Sequence, residues 1–175
     1  VLIAALLTNL EFVRDLFLEE QGSLFSKTAL AVIFGVISIV STYTGTRTDG
    51  AIINTRVIGV LAAGLLGGPY VGMLTALIAG LHRYLFDIGG FTAVSCAVST
   101  LFEGTLGSVF SARFKSGKMK QIGIFALTAV AELAQMVIIL LISRPFADAV
   151  HLVQRIAVPM ILMNSCGMLI FLKAF

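Results

Sequence analysis

The 175-residue sequence predicts an all-α polytopic membrane bundle of about five spanning helices, with a Gly-Gly-Pro broken helix or re-entrant hairpin among them. Three observations lead there. Only 12% of the residues are charged and 58% are hydrophobic, with mean hydropathy +1.04. A water-soluble domain carries about 25% charged residues, because its surface must be wetted. The apolar residues gather into six blocks, several of them near the ~20 residues that cross a bilayer. Sixteen of the 17 glycines lie beyond residue 34, many inside those blocks, where small residues let membrane helices approach closely.

The first block, Val1 to Leu10, is too short to span and has no basic segment before it, which argues against a signal peptide. It reads as the end of a truncated first transmembrane helix. Glu11 to Lys27 carries four acidic residues, Arg14 and Lys27. Its Phe12, Val13, Leu16 and Phe17 fall at helical spacing, as in a connector lying along the interface. The second block runs from Thr28 to about Thr46 and the third from Val57 to Leu81. The fourth runs from Phe91 to about Ala112, the fifth from Ile122 to Ser143 and the sixth from Ile156 to Leu172. Blocks two, four, five and six are long enough to cross. Arg113, Lys115, Lys118 and Lys120 form one basic loop, which the positive-inside rule keeps in the cytoplasm together with Lys173.

The third block holds Gly59, Gly64, Gly67, Gly68, Gly72 and Gly80, with Gly67-Gly68-Pro69 near its centre. Proline removes a backbone donor, and the glycines before it ease a chain reversal. A kinked spanning helix would put Arg56 and Arg83 on opposite faces of the membrane. A re-entrant hairpin, its halves meeting near mid-membrane, would return both to one face. Counting Lys and Arg does not separate the two, since each places seven inside. The hairpin is favoured because Asn54-Thr55-Arg56 enters the block and His82-Arg83-Tyr84 leaves it. Two guanidiniums would then make a dense positive site suited to a small carboxylate or phosphate.

The fourth block opens with Thr92, Ser95, Cys96, Ser99 and Thr100. Ser95 and Ser99 are four apart and Ser99 lies three after Cys96, so they share a helical face. They serve either as interhelical hydrogen-bonding groups or as a polar wall facing the arginines. Glu103 follows at i+4 from Ser99, an intramembrane carboxylate that is functional or neutralises an arginine. Glu132 and Gln135 share a face of the fifth block, and Asn164 lies in the sixth after Pro159. All would be costly against lipid and should point inward. Arg144-Pro145-Phe146 with Asp148 reads as an outside loop.

Other chemistry is not supported. No basic face exists for nucleic acid. Cys96 and Cys166 are too few and too far apart for a disulfide framework or a zinc site, and no other metal spacing or cofactor motif appears. His82 and Cys96 pair as base and nucleophile by type only, and no phosphate-cradling loop is present. The chain itself contains no enzyme.

Taken jointly, Asn54-Thr55-Arg56-Val-Ile-Gly59, Gly64-Leu-Leu-Gly67-Gly68-Pro69-Tyr-Val-Gly72 and Ala79-Gly80-Leu-His82-Arg83-Tyr84 resemble the membrane domain of Lyt-type sensor histidine kinases. These are the five-transmembrane receptors of the LytS and YehU (BtsS) group. The likeness continues through Gly89-Gly90-Phe-Thr92-Ala-Val-Ser95-Cys96, Glu103-Gly104, Ala131-Glu132-Leu-Ala-Gln135-Met136, Arg144-Pro145 with Asp148-Ala149-Val150, and Pro159-Met160 with Asn164. Its Cys and His-Arg matches resemble the YehU branch more closely. The resemblance implies residues 1–27 as helix end and connector, and residues 28–175 as a receptor domain of the bacterial inner membrane without its cytoplasmic kinase part. It further implies a small extracellular carboxylate such as pyruvate as ligand, a homodimer made through the kinase, and a cognate response regulator. Arg56, Arg83, Cys96 and Ser99 carry over as binding residues, with Asn54 and His82 beside them. Asp87, in a stretch longer than the family pattern, adds a negative charge. The Gly-Pro-x-x-Gly turn also resembles the vitamin-binding membrane subunits of energy-coupling-factor importers, which makes a transport subunit the alternative.

Overall fold

A computed structural model describes residues 23–173. The described chain forms α1 (Leu24–Tyr43), β1 (Thr46–Thr48), β2 (Ala51–Ile53), α2 (Arg56–Gly67), α3 (Pro69–Phe86), α4 (Ala93–Lys115), α5 (Gln121–Ile142) and α6 (Phe146–Leu172). The expectations for residues 1–22 lie outside the described residues. The rest of the expected connector, Ser23–Lys27, instead opens α1. Ser23 caps that helix, its hydroxyl accepting from the Ser26 N–H at 3.2 Å.

Helices α1, α4, α5 and α6 have 20, 23, 22 and 27 residues and are long and apolar enough to cross a membrane. Their outward faces stay apolar. On α5, Val130, Leu133, Val137 and Leu141 are all exposed at helical spacing, an arrangement water would penalise and lipid accepts.

Residues 57–81 form a hairpin, not a kinked span. Gly68 has φ 84° and ψ −171°, a region essentially confined to glycine. Pro69 follows as the first residue of α3, where its missing N–H costs nothing. Helices α2 and α3 pack on each other and both pack on α4, in opposite senses. Gly64 faces Gly107 and Ser108, and the Ser111 hydroxyl donates to the Leu65 carbonyl at 3.2 Å. Gly72 faces Gly104 and Ser108, and Gly80 faces Ala97 and Thr100. The glycines therefore set how closely the hairpin seats on α4.

The turn does not lie near mid-membrane as expected. Gly68 sits beside Ser111 and Lys115, at the far end of α4. The two arms are unequal: α2 has 12 residues and α3 has 18, about 18 and 27 Å long. The longer arm carries the turn almost across the bundle. Because α2 is short, its first residue starts well inside, level with Thr100 rather than with the start of α4.

Two further boundaries differ from the sequence reading. The connection between the second and third blocks is an antiparallel β-hairpin pairing Thr46 with Ile53 and Thr48 with Ala51. Its turn residues Asp49 and Gly50 have φ 48° and 76°, as a two-residue Asp-Gly turn requires. The sixth block begins at Phe146 rather than Ile156. Its first turns are polar, with Asp148 placed where a negative charge suits the helix N-terminus. Asp148 thus belongs to α6 rather than to an outside loop.

Two large apolar clusters fill most of the interior, with a small third one of Val60, Ala76 and Ala79 between the hairpin arms. One is built from Leu30, Phe34, Leu61, Leu65, Val71, Leu127, Met168 and Phe171. The other joins Ala51 to Met136, Ile139, Leu152, Ile156 and Met160. On α5, Glu132 and Gln135 fall between the residues of the two clusters, and on α6 Asn164 does the same. A polar layer thus separates the two clusters.

Candidate functional site

Two arginines are fully enclosed: Arg56 is 1% exposed and Arg83 0%. A charge so buried needs partners, and one face of α4 provides them. Thr92, Cys96, Thr100 and Glu103 recur at the spacing that stacks side chains on one side of a helix. The Arg56 Nε donates to Thr100 Oγ1 at 2.8 Å and its Nη2 to the Cys96 carbonyl at 3.5 Å. The Arg83 Nη2 donates to Thr92 Oγ1 at 3.2 Å, and its Nη1 pairs with Asp87 Oδ2 at 3.3 Å. Thr92 and Cys96 are one turn apart, about 5.4 Å along the axis. Thr100 lies one turn further on, so the groups that hold the two guanidiniums span the first two turns of α4, at the same end of the bundle.

Neither arginine is saturated. Arg56 Nη1 and Arg83 Nε are buried N–H donors without an acceptor. The positive N-terminal end of α2 adds to the potential at Arg56, the first residue of that helix. The Asn54 side chain braces this corner, its Oδ1 accepting from the Arg56 backbone N–H at 3.1 Å.

Deeper along α4 the layer turns acidic. Glu103 and Glu132 are both 0% exposed. Glu132 Oε1 accepts from Asn164 Nδ2 at 2.6 Å, and the same amide donates to the Asn54 carbonyl at 3.3 Å. Glu103 lies within electrostatic reach of both Arg56 and Glu132. Both oxygens of Glu103, Glu132 Oε2 and Asn164 Oδ1 have no hydrogen-bond partner. The polar layer thus ties α2, α4, α5 and α6 together through charged and amide groups.

The remaining residues singled out in the sequence fall in different places. Cys96 is buried and meets Arg56 through its carbonyl. Ser99 bonds back to that carbonyl at 3.0 Å, and Ser95 reaches Ser143 on the start of the next turn at 3.0 Å. His82 stands aside from the arginines, with Nε2 3.4 Å from the Tyr43 hydroxyl and its ring stacked on Phe86. Gln135 is buried in the polar layer. Gly67, Gly68 and Pro69 make the hairpin turn. Among the described residues no group of three or more His, Cys, Asp or Glu side chains could hold a metal ion.

Two clefts open beside this layer, of about 380 and 250 Å³. Neither is lined by Arg56 or Arg83. The larger runs between the end of α1, the β-hairpin and α6, and reaches the polar layer through Asn54 and Asn164. The unpartnered guanidinium donors lie apart from both clefts, while Asn164, with an unpartnered Oδ1, lines the larger one. At the rim, Arg155 of α6 holds Asp49 of the β-hairpin with two contacts of 3.0 and 2.8 Å.

Comparison with known proteins gives a consistent picture. The family described as 5TMR of 5TMR-LYT matches residues 10–175. The chain is 46% identical over 147 residues to the sensor histidine kinase BtsS of Escherichia coli K12, covering 81% of this chain and 26% of that protein. It is 40% identical over 194 residues to the sensor protein LytS of Bacillus subtilis, covering 99% and 32%. With the sensor histidine kinase YpdA of Escherichia coli K12 it shares 31% over 160 residues, covering 91% and 28%. The chain thus spans about a quarter to a third of the length of these relatives. No solved structure matches.

Proposed function

The chain belongs to the Lyt-type five-transmembrane receptor family, a multi-pass domain of the bacterial inner membrane, and from that premise we propose that it is the sensing half of a histidine kinase that binds a small carboxylate, pyruvate or a close 2-oxo acid. Arg56 and Arg83 hold the carboxylate between them, against the Thr92–Thr100 face of α4. The lysine-bearing end, with Arg113, Lys115, Lys118, Lys120 and Lys173, lies in the cytoplasm, so the arginine end takes its ligand from outside. The observation that carries this reading is the pair of enclosed guanidiniums, each with a free buried donor, held by groups within two turns of one another on α4. A planar cation with spare N–H groups in a dry interior is suited to a carboxylate, which accepts two hydrogen bonds at once. The enclosure favours a guest of few atoms.

Signalling follows from the same contacts. Arg56 belongs to α2, Arg83 to α3, and their partners to α4, while Asn54 and Asn164 connect this corner to α6. A guest gripped by both arginines favours the packing in which the hairpin and α4 sit closest. It shifts the equilibrium by its differential affinity for the two packings. Helix α6, the last before the cytoplasmic side, passes the shift to a kinase that works as a homodimer and phosphorylates a response regulator.

The test is calorimetry of the purified domain with sodium pyruvate. Arg56→Ala and Arg83→Ala should each weaken binding by at least about tenfold, the worth of one charge-assisted hydrogen bond. Absence of heat with pyruvate and with every other small 2-oxo acid tried removes the ligand assignment.

A further inference from the structure

We infer that the site takes up a proton together with its anion, and that the Glu103–Glu132 pair receives it. This rests on the reading of Arg56 and Arg83 as a carboxylate site. The titratable and charged groups that face the pair from each packed element are few. They are Arg56 on α2, Arg83 with Asp87 on α3, the Cys96 thiol on α4 and the two glutamates themselves. Helix α6 presents the uncharged Asn164, and His82 of α3 lies aside against Tyr43. Asp87 matches Arg83. Arg56 alone remains to balance two buried carboxylates.

The hydrogen-bond inventory points the same way. Among the described residues four buried carboxylate or amide oxygens lack a donor, both of Glu103, Glu132 Oε2 and Asn164 Oδ1, and the Ser165 hydroxyl is unpartnered as well. The free buried cationic donors among the described residues are Arg56 Nη1 and Arg83 Nε, and the Ser165 hydroxyl and His82 Nδ1 are the other unpartnered groups able to donate. A carboxylate guest carries acceptors only, so it occupies both free cationic donors and leaves the four oxygens as they were. It also brings one more negative charge into an interior where an unmatched charge is expensive. A proton answers both deficits. Placed on a glutamate oxygen it cancels a charge and creates an O–H donor for the other glutamate or for Asn164 Oδ1. The charge count calls for one proton on the pair without the anion and a second with it. The proton comes from bulk water or buffer, and no other bond is made or broken.

The experiment is calorimetry of the purified domain with pyruvate, at one pH, in two buffers of different ionisation heat. About one proton should be taken up per pyruvate, and the affinity should fall about tenfold per pH unit above neutrality. Either single variant, Glu103→Gln or Glu132→Gln, leaves one glutamate to receive the proton, whereas the double variant should lose both effects. Equal heats in the two buffers with pH-independent binding overturn the inference. So does an affinity that follows sodium when choline chloride replaces sodium chloride, because sodium is then the counter-charge. The infrared spectrum of the pyruvate-free protein is an independent arm, with a protonated-carboxyl band expected at neutral pH and weakened in either variant. Absence of that band removes the proton inference whether or not pyruvate binds. Absence of binding with the band present removes the anion reading, and the coupling with it.

Discussion

Gly64→Ala perturbs the hairpin's seat directly. A Cβ built at Gly64 would lie 2.7 Å from the Gly107 carbonyl carbon and 2.7 Å from the Ser108 nitrogen. Ordinary van der Waals contact for a methyl begins near 3.4 Å, so α2 and α4 must part by about 0.7 Å or distort. Both obstacles are backbone and cannot rotate away. Overpacking of this kind costs about 1–3 kcal/mol, equivalent to a melting-temperature fall of about 2–12 °C for a domain of this size. The same displacement lengthens the 2.8 Å bond from Arg56 to Thr100, so pyruvate affinity should fall although residue 64 touches no ligand. Gly123→Ala is the control, since a Cβ there meets only the flexible Met119 side chain at 3.2 Å. The assays are thermal unfolding in detergent and pyruvate calorimetry. A Gly64→Ala protein that melts and binds like the parent, or like Gly123→Ala, would refute the close α2–α4 seating.

Other consequences can be checked alongside. Gly68→Ala forces an L-residue into φ 84°, ψ −171° and should destabilise the domain by about 1–3 kcal/mol, read as a lower melting temperature. Asn164→Ala removes the 2.6 Å donor to Glu132 and leaves a buried carboxylate oxygen unpaired, a loss of about 1–3 kcal/mol in the same assay. Asn164→Asp should be worse than Asn164→Ala, because it adds a third carboxylate to a layer already short of donors.

Several of these features were legible in the sequence for identifiable reasons. The apolar blocks and their lengths reported the solvent directly. Gly67-Gly68-Pro69 reported a reversal, because few other triplets permit one. The Ser95, Cys96 and Ser99 spacing marked a polar face at the start of α4, but the arginines dock on Thr92, the Cys96 carbonyl and Thr100 beside it. The depth of the turn was not legible, since nothing in Tyr84-Leu85-Phe86 announces that α3 runs half as long again as α2. Asp49-Gly50 did carry a hairpin signal, masked by the short strands on either side. His82 and Arg83 are adjacent in sequence, yet successive helical side chains point about 100° apart, so only one faces the interior. The Glu132–Asn164–Asn54 chain joins residues up to 110 positions apart, and local pattern holds no trace of such a contact.

The central claim is that the chain reversal brings Arg56 and Arg83 to the same, outward-facing end of the bundle. Single cysteines at Thr55, Tyr84 and Lys118, introduced with Cys166 replaced by alanine, can be tested in intact spheroplasts with a membrane-impermeant maleimide. Thr55→Cys and Tyr84→Cys should label from outside, and Lys118→Cys only after the membrane is opened. Labelling of Thr55→Cys and Tyr84→Cys from opposite sides would contradict the hairpin and the shared anion site with it.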